Sequence, residues 1–229
     1  MQDPIILTHG ALGSKNQLKM LAERLSENFS VLSMDFEGHG EYHSDVQFSI
    51  DLFTRNLEEF IDRQKLWRVN LFGYSMGGYV ALDFAGRHPD QVGKVITLGT
   101  KFDWTSEFAL QEIKMLDPNK IEEKVPKFAQ YLEQAHSSND WKEVVRKTAG
   151  LMLGLGNGKR MVEDDFRKIK SEVLVMVGES DHMVTLAESE RIVELLPKGQ
   201  LMSLNGTPHQ IEKIDQEELA RIIADQLQQ

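Results

Sequence analysis

The chain has 229 residues, 41% hydrophobic and 27% charged, enough apolar material for one globular domain with a sizeable core and too much for a disordered chain. A formal net charge of −10 repels nucleic acid and anionic lipid, so neither is an expected partner, whereas a small anionic substrate answers to local charges and stays open. With no cysteine, disulfides, thiol nucleophiles and thiolate-held metals are excluded, which suits a reducing compartment.

The opening MQDPIILTHG lacks the basic and long apolar regions of a secretory leader, and no apolar run approaches the roughly 20 residues of a membrane span. A cytoplasmic protein without a membrane partner is expected. Six short apolar runs follow, at residues 5–8, 31–34, 69–72, 95–98, 173–177 and 201–204. They are nearly continuous in hydrophobicity, the mark of strands buried on both faces. After the first comes Thr8-His9-Gly10-Ala11-Leu12-Gly13-Ser14, with Gly10 allowing a sharp exit, then Leu18, Leu21, Ala22, Leu25 and Phe29 at helical spacing. The second run leads to Asp35-Phe36-Glu37-Gly38-His39-Gly40 and a further helical set, Ile50, Phe53, Leu57, Phe60 and Ile61. The third enters Gly73-Tyr74-Ser75-Met76-Gly77-Gly78 and a helix over 79–85.

After the fourth run the rhythm breaks. Residues 101–170 hold helical stretches with turn signals at Asp117-Pro118, Ser137-Ser138-Asn139 and 154–158 but no convincing strand, far more chain than a crossover needs. Beyond them, Thr185 with Glu188 and Asp215 with Glu218 have the capping-box spacing that starts helices. Strands alternating with helices imply right-handed crossovers. The expected fold is α/β: a doubly wound, mostly parallel six-stranded sheet from residues 1–100 and 171–229, with a helical cap at 101–170 inserted between strands. Of the cap's Phe102, Trp104, Phe108, Met115, Phe128 and Trp141, and of Leu151, Met152, Leu153 and Met161, most are expected to pack it onto the body and a minority to line an apolar pocket.

Gly73-x-Ser75-x-Gly77 has the form of a strained strand-to-helix turn that lifts a serine above a parallel sheet. Small neighbours let strand and helix approach, and the helix N-terminus offers backbone N–H groups to a developing oxyanion. A serine needs a base to take its proton. Of seven histidines, His209 lies after the last strand, at the same sheet edge as Ser75, where open α/β folds build their sites. The orienting carboxylate is expected to be Asp181, directly after the fifth strand, with Asp103, beyond the fourth, as the rival. The loop at Gly10 and Ala11, and the N–H of Met76, are placed to complete an oxyanion hole, while His9 reads as a structural histidine.

Together, His9-Gly10, residues 35–40, Gly73-Tyr74-Ser75-Met76-Gly77-Gly78, Gly178-Glu179-Ser180-Asp181 and Pro208-His209 resemble the α/β-hydrolase superfamily in its small capped branch. That branch includes carboxylesterases, carbon–carbon bond hydrolases acting on ring-cleavage products, and a menaquinone-pathway lyase. The resemblance implies Ser75 as nucleophile, Asp181 as acid, His209 as base, and Ala11 and Met76 as backbone oxyanion donors. Two departures stand out. The usual antiparallel hairpin before the first strand is absent, which leaves residues 31–34 at a sheet edge to be covered by a helix or another subunit. Glu37 replaces a common arginine.

A serine hydrolase of small, largely apolar acyl substrates is therefore expected, working through an acyl-enzyme with no metal or organic cofactor. One alternative is a carbon–carbon hydrolase or lyase using the same residues, with Lys101, Lys114, Lys159 or Arg160 as the cation for a substrate carboxylate. Another is a non-catalytic small-ligand binder on the same fold.

Overall fold

The computed structural model describes residues 3–228; Met1 and Gln2, on which the leader reading partly rests, lie outside the described residues, as does Gln229. Six strands, Ile5–Thr8 (β1), Val31–Met34 (β2), Val69–Tyr74 (β3), Val92–Leu98 (β4), Glu172–Gly178 (β5) and Gly199–Leu204 (β6), form one sheet in the order β2-β1-β3-β4-β5-β6. Every neighbouring pair is parallel. The order turns back at β1, because the chain steps to β2 on one side and β3 on the other. Such a reversal opens a crevice at the carboxyl ends of the strands.

Alternate residues of each strand feed two separate cores, as the period of two requires. Ile5, Leu7, Phe72, Ile96 and Leu174 pack with Leu21 and Leu25 of α1 (Lys19–Leu25) and with Leu219 and Ile223 of α10 (Gln216–Gln228). Ile6, Leu71, Val95, Val173 and Val175 pack on the other face with α2 (Ile50–Arg63), α3 (Met76–Arg87) and α9 (Leu186–Leu195). The four inner strands, β1, β3, β4 and β5, are largely buried on both faces because both faces carry helices, whereas the edge strands β2 and β6 are only partly buried.

Between β4 and β5 the chain runs through α4 (Ser106–Glu112), α5 (Pro118–Lys124), α6 (Pro126–Ala135), α7 (Trp141–Gly156) and α8 (Glu163–Arg167). Phe102, Trp104, Leu151, Met152 and Met161 from this stretch join the core beneath it. Trp141 joins a small core of the intervening helices, whereas Met115 is 76% exposed. No helix among the described residues is long and apolar enough to cross a membrane.

Several boundaries differ from the sequence expectation. Residues 15–18 form a 3-10 turn rather than part of α1, and Phe29 falls beyond the helix. The Thr185–Glu188 capping box forms with both reciprocal bonds. The Asp215 box is half made: Asp215 Oδ1 accepts the N–H groups of Glu217 and Glu218, but the Glu218 carboxylate turns outward to Arg221 at 2.7 Å.

Candidate active site

Ser75 sits between the last residue of β3 and the first of α3, with φ 52° and ψ −113°. This left-handed backbone costs a non-glycine residue on the order of 1–3 kcal/mol. It is held by the Ser75 N–H donating to Leu98 O at 2.8 Å and the Thr100 hydroxyl donating to Ser75 O at 3.2 Å. The flanking glycines serve close approach: a Cβ on Gly73 would meet the backbone of Gly77 and Gly78, and one on Gly77 would meet the carbonyls of Thr8 and His9.

The imidazole of His209 reaches Ser75 from the loop after β6. Its Nε2 lies 3.2 Å from Ser75 Oγ and its Nδ1 lies 2.7 Å from Asp181 Oδ2. Asp181 leaves β5 in a tight turn, its side chain only 1% exposed, and its other oxygen accepts the N–H groups of Met183 and Val184 at 2.8 and 2.9 Å. Burial alone would raise its pKa. The hydrogen bond and charge of His209, joined by the two N–H groups, outweigh that and hold the carboxyl below its ordinary value. The structure thus brings Ser75, His209 and Asp181 into one hydrogen-bonded line. Asp103 stands apart, paired with Arg191 at the surface, and His182 is exposed.

Ala11 and Met76 border the same small cavity as Ser75, with Lys101, Trp104 and Leu151 among its other walls. Met76 is the first residue of α3, where an N–H has no intrahelical acceptor. The direction of the Ala11 N–H follows from its peptide plane, since a trans amide points N–H and C=O oppositely. The carbonyl in that plane, Gly10 O, accepts from His9 Nδ1 at 2.8 Å and from the Gly13 N–H at 3.1 Å. His9 Nε2 in turn accepts the Phe36 N–H at 3.2 Å, a pairing only the neutral ring can make. Complete burial accordingly lowers the His9 pKa to about 4.

Sequence reasoning missed five contributing residues. The Tyr74 hydroxyl donates to the main-chain carbonyl of His209 at 2.9 Å. Gln17 accepts the Gly10 N–H at 3.1 Å and donates to Glu212, three residues beyond His209, at 2.9 Å. His39 and His136 join His9 in a buried cluster, with ring centroids 5.1 Å (His9–His39) and 5.5 Å (His39–His136) apart. Glu188 forms a buried pair with Lys101 at 2.6 Å while accepting the Phe102 and Thr185 N–H groups. Only the capping box hinted at Glu188; Tyr74 ends β3, Gln17 lies in the 3-10 turn and His39 and His136 sit in turns, and none of their long-range contacts leaves a spacing signal. Among the cation candidates, Lys101 lines the cavity, whereas Arg160, which donates to Trp104 O, is exposed, as are Lys114 and Lys159. No group of three or more His, Asp or Glu side chains among the described residues is arranged to hold a metal.

The sheet, its crevice and the serine turn define an α/β-hydrolase fold. A family model described as serine aminopeptidase, S33, matches residues 2–217, and the chain belongs to that family. A Haemophilus influenzae protein provisionally named an esterase/lipase is 23% identical over 225 residues, covering 90% of this chain and 76% of its own length. A Rhizobium rhizogenes protein with the provisional name carbamate hydrolase RutD is 26% identical over 231 residues, covering 93% and 88%. Among solved structures, a thermophilic esterase from Thermogutta terrifontis, with malate bound, superposes with a TM-score of 0.79 at 21% identity, covering 99% of this chain and 89% of that one.

Proposed function

We propose that the chain is a serine hydrolase that cleaves an ester or related acyl bond. One observation carries the reading: Ser75 Oγ, both imidazole nitrogens of His209 and Asp181 Oδ2 lie on one hydrogen-bonded line, at 3.2 and 2.7 Å. Family membership and the hydrolase names of the relatives support a hydrolase.

The Ser75 Oγ attacks the substrate carbonyl carbon as its proton passes to His209 Nε2. Asp181 keeps the second proton on Nδ1 and stabilises the imidazolium. The N–H groups of Ala11 and Met76 receive the negative oxygen. When the tetrahedral adduct collapses, His209 returns the proton to the departing alcohol, leaving an acyl group on Ser75. Water, deprotonated by the same imidazole, then releases the acid and restores the hydroxyl. Losing one oxyanion donor costs roughly 3–4 kcal/mol of barrier.

Residues 101–170 act in this reading as a cap over the serine. Trp104, Leu151 and Met152 face the cavity, which favours a small, largely apolar substrate. The lack of cysteine favours a cytoplasmic setting. A second reading, carbon–carbon cleavage or elimination on a carboxylate-bearing substrate, draws on Lys101 as a cation in the cavity, although its ammonium is already bound by Glu188.

The test is a panel of esters and thioesters of graded chain length on the native chain and on Ser75→Ala. Turnover of short esters that vanishes in the variant, with the melting temperature unchanged or higher, is the expected result. Full turnover by Ser75→Ala overturns the nucleophile. Turnover of vinylogous keto-acids with negligible ester cleavage selects the second reading.

A further inference from the structure

His136 closes α6 as its C-terminal cap and is completely buried, yet it belongs to none of the elements that carry Ser75, His209 or Asp181. Its Nε2 pairs with Leu12 O at 3.1 Å, and its Nδ1 accepts the Gly40 N–H at 3.0 Å. One nitrogen takes a backbone proton while the other gives one, which only the neutral ring with hydrogen on Nε2 can do. Leu12 itself has φ 60°, a backbone that a leucine holds only when its surroundings fix it.

The carbonyls on either side of Ala11 are therefore each tied to a buried imidazole. Gly10 O is tied to His9, next to it in the chain, and Leu12 O to His136, which the helices between β4 and β5 supply. The Ala11 N–H is aimed by the first bond, and the second holds the Leu12–Gly13 peptide, whose own N–H donates to Gly10 O. We infer that His136 is a positioning residue through which the helical cap sets the oxyanion loop, so that seating the cap and completing the oxyanion hole are one event. This rests on the reading of Ser75 as nucleophile and Ala11 as donor.

The alternative is that His136 merely fastens the cap. A neighbouring residue separates the two roles. Asn139 also joins the cap to the loop after β2, donating to Gly40 O and Tyr42 O at 3.3 and 3.4 Å and accepting the Ser44 N–H at 3.3 Å, but makes no bond to residues 10–13. Two isosteres divide the functions of the ring itself. Asparagine at 136 places its oxygen near Nδ1, keeping Gly40 and losing Leu12, whereas glutamine extends its amide towards the Nε2 position and Leu12.

The experiment measures covalent labelling of Ser75 by a fluorophosphonate, which needs no knowledge of the substrate. The Ser75 oxygen bonds to phosphorus, fluoride leaves, and the serine proton passes to His209. The maximal rate kinact and the half-saturating concentration KI are determined with the melting temperature, for the native chain, Ser75→Ala, His136→Asn, His136→Gln and Asn139→Ala. We expect His136→Asn to lower kinact at least about tenfold, a fraction of what losing a whole oxyanion donor costs, with KI unchanged. His136→Gln should recover much of that rate. Asn139→Ala should lower the melting temperature with native kinact. Native kinact in His136→Asn, an equal loss in Asn139→Ala, or no recovery in His136→Gln overturns the inference. Labelling of Ser75→Ala at the native rate overturns the nucleophile assignment instead, so the two failures are distinct.

Discussion

Tyr74 and His209 are joined by a hydrogen bond from the tyrosine hydroxyl to the histidine carbonyl, 2.9 Å long. Tyr74, directly before Ser75, thus steadies the loop that bears His209. Burial raises the hydroxyl's pKa, so it stays protonated and a donor across the physiological range. Tyr74→Phe removes that bond while keeping the ring, at about 1 kcal/mol. Turnover should fall roughly three- to tenfold through kcat, with little change in melting temperature. Native kcat in the variant would show that the loop holds itself.

Asp181 and Asp103 are both carboxylates at the same sheet edge, and only Asp181 meets the imidazole. Asp181→Asn favours the wrong tautomer and should reduce kcat by up to about 10,000-fold, the loss seen for the equivalent change in a serine protease. Asp103→Asn should cost under about 1 kcal/mol of stability, as exposed pairs do, and leave kcat alone. A steady-state assay of the two purified variants decides it; the reverse ranking would move the acid to the end of β4.

The buried pair of Lys101 and Glu188 predicts an asymmetry in stability. Lys101→Met leaves a carboxylate that is 1% exposed without its cation, at about 3 kcal/mol. The backbone donors on Glu188 soften this loss. Adding Glu188→Gln to Lys101→Met neutralises the stranded charge and should return part of it. Urea denaturation of the single and double variants measures the difference, and a double variant less stable than the single one would contradict the argument.

His9 gives the protein a directional response to acid. Its pKa falls from 6.5 unfolded to about 4 folded, so between those values the unfolded chain binds a proton that the folded one refuses. Stability from this group is complete above about pH 6.5 and declines as pH drops towards 4, by roughly 3 kcal/mol in all. Burial is the main cause, and His136 opposes the charged form while Asp35 favours it. Denaturation midpoints taken through this window should decline in the native chain and decline less in His9→Gln. Parallel curves would place the acid response elsewhere.

The strands and the serine turn were legible because each imposes a pattern on neighbouring residues. Two-sided burial forces continuous apolar runs, and close approach of β3 to α3 forces glycine at 73 and 77. Asp181 and His209 were legible because a shared sheet edge places them, whatever the loop details. The bonds of Tyr74, Gln17 and His136 were not. Each depends on contacts with loop segments that the fold brings together, and nothing in local composition distinguishes a tethering histidine from a solvated one. Phe29, set at helical spacing in the sequence, packs on the core beyond the end of α1, and Met115 is an exposed member of a segment whose apolar residues mostly pack.

The cavity over Ser75 encloses about 30 Å³, room for a water molecule or so, whereas pockets that hold small organic ligands are typically about 300–1,000 Å³. On the reading of the chain as an acyl hydrolase, admission of a substrate larger than water then calls for the cavity walls to move. The flexible thioethers of Met152 and Met183, with Leu151 and Leu155, are the walls best able to yield. Solvent viscosity should then slow bulky esters more than small ones, even where their intrinsic reactivity is matched.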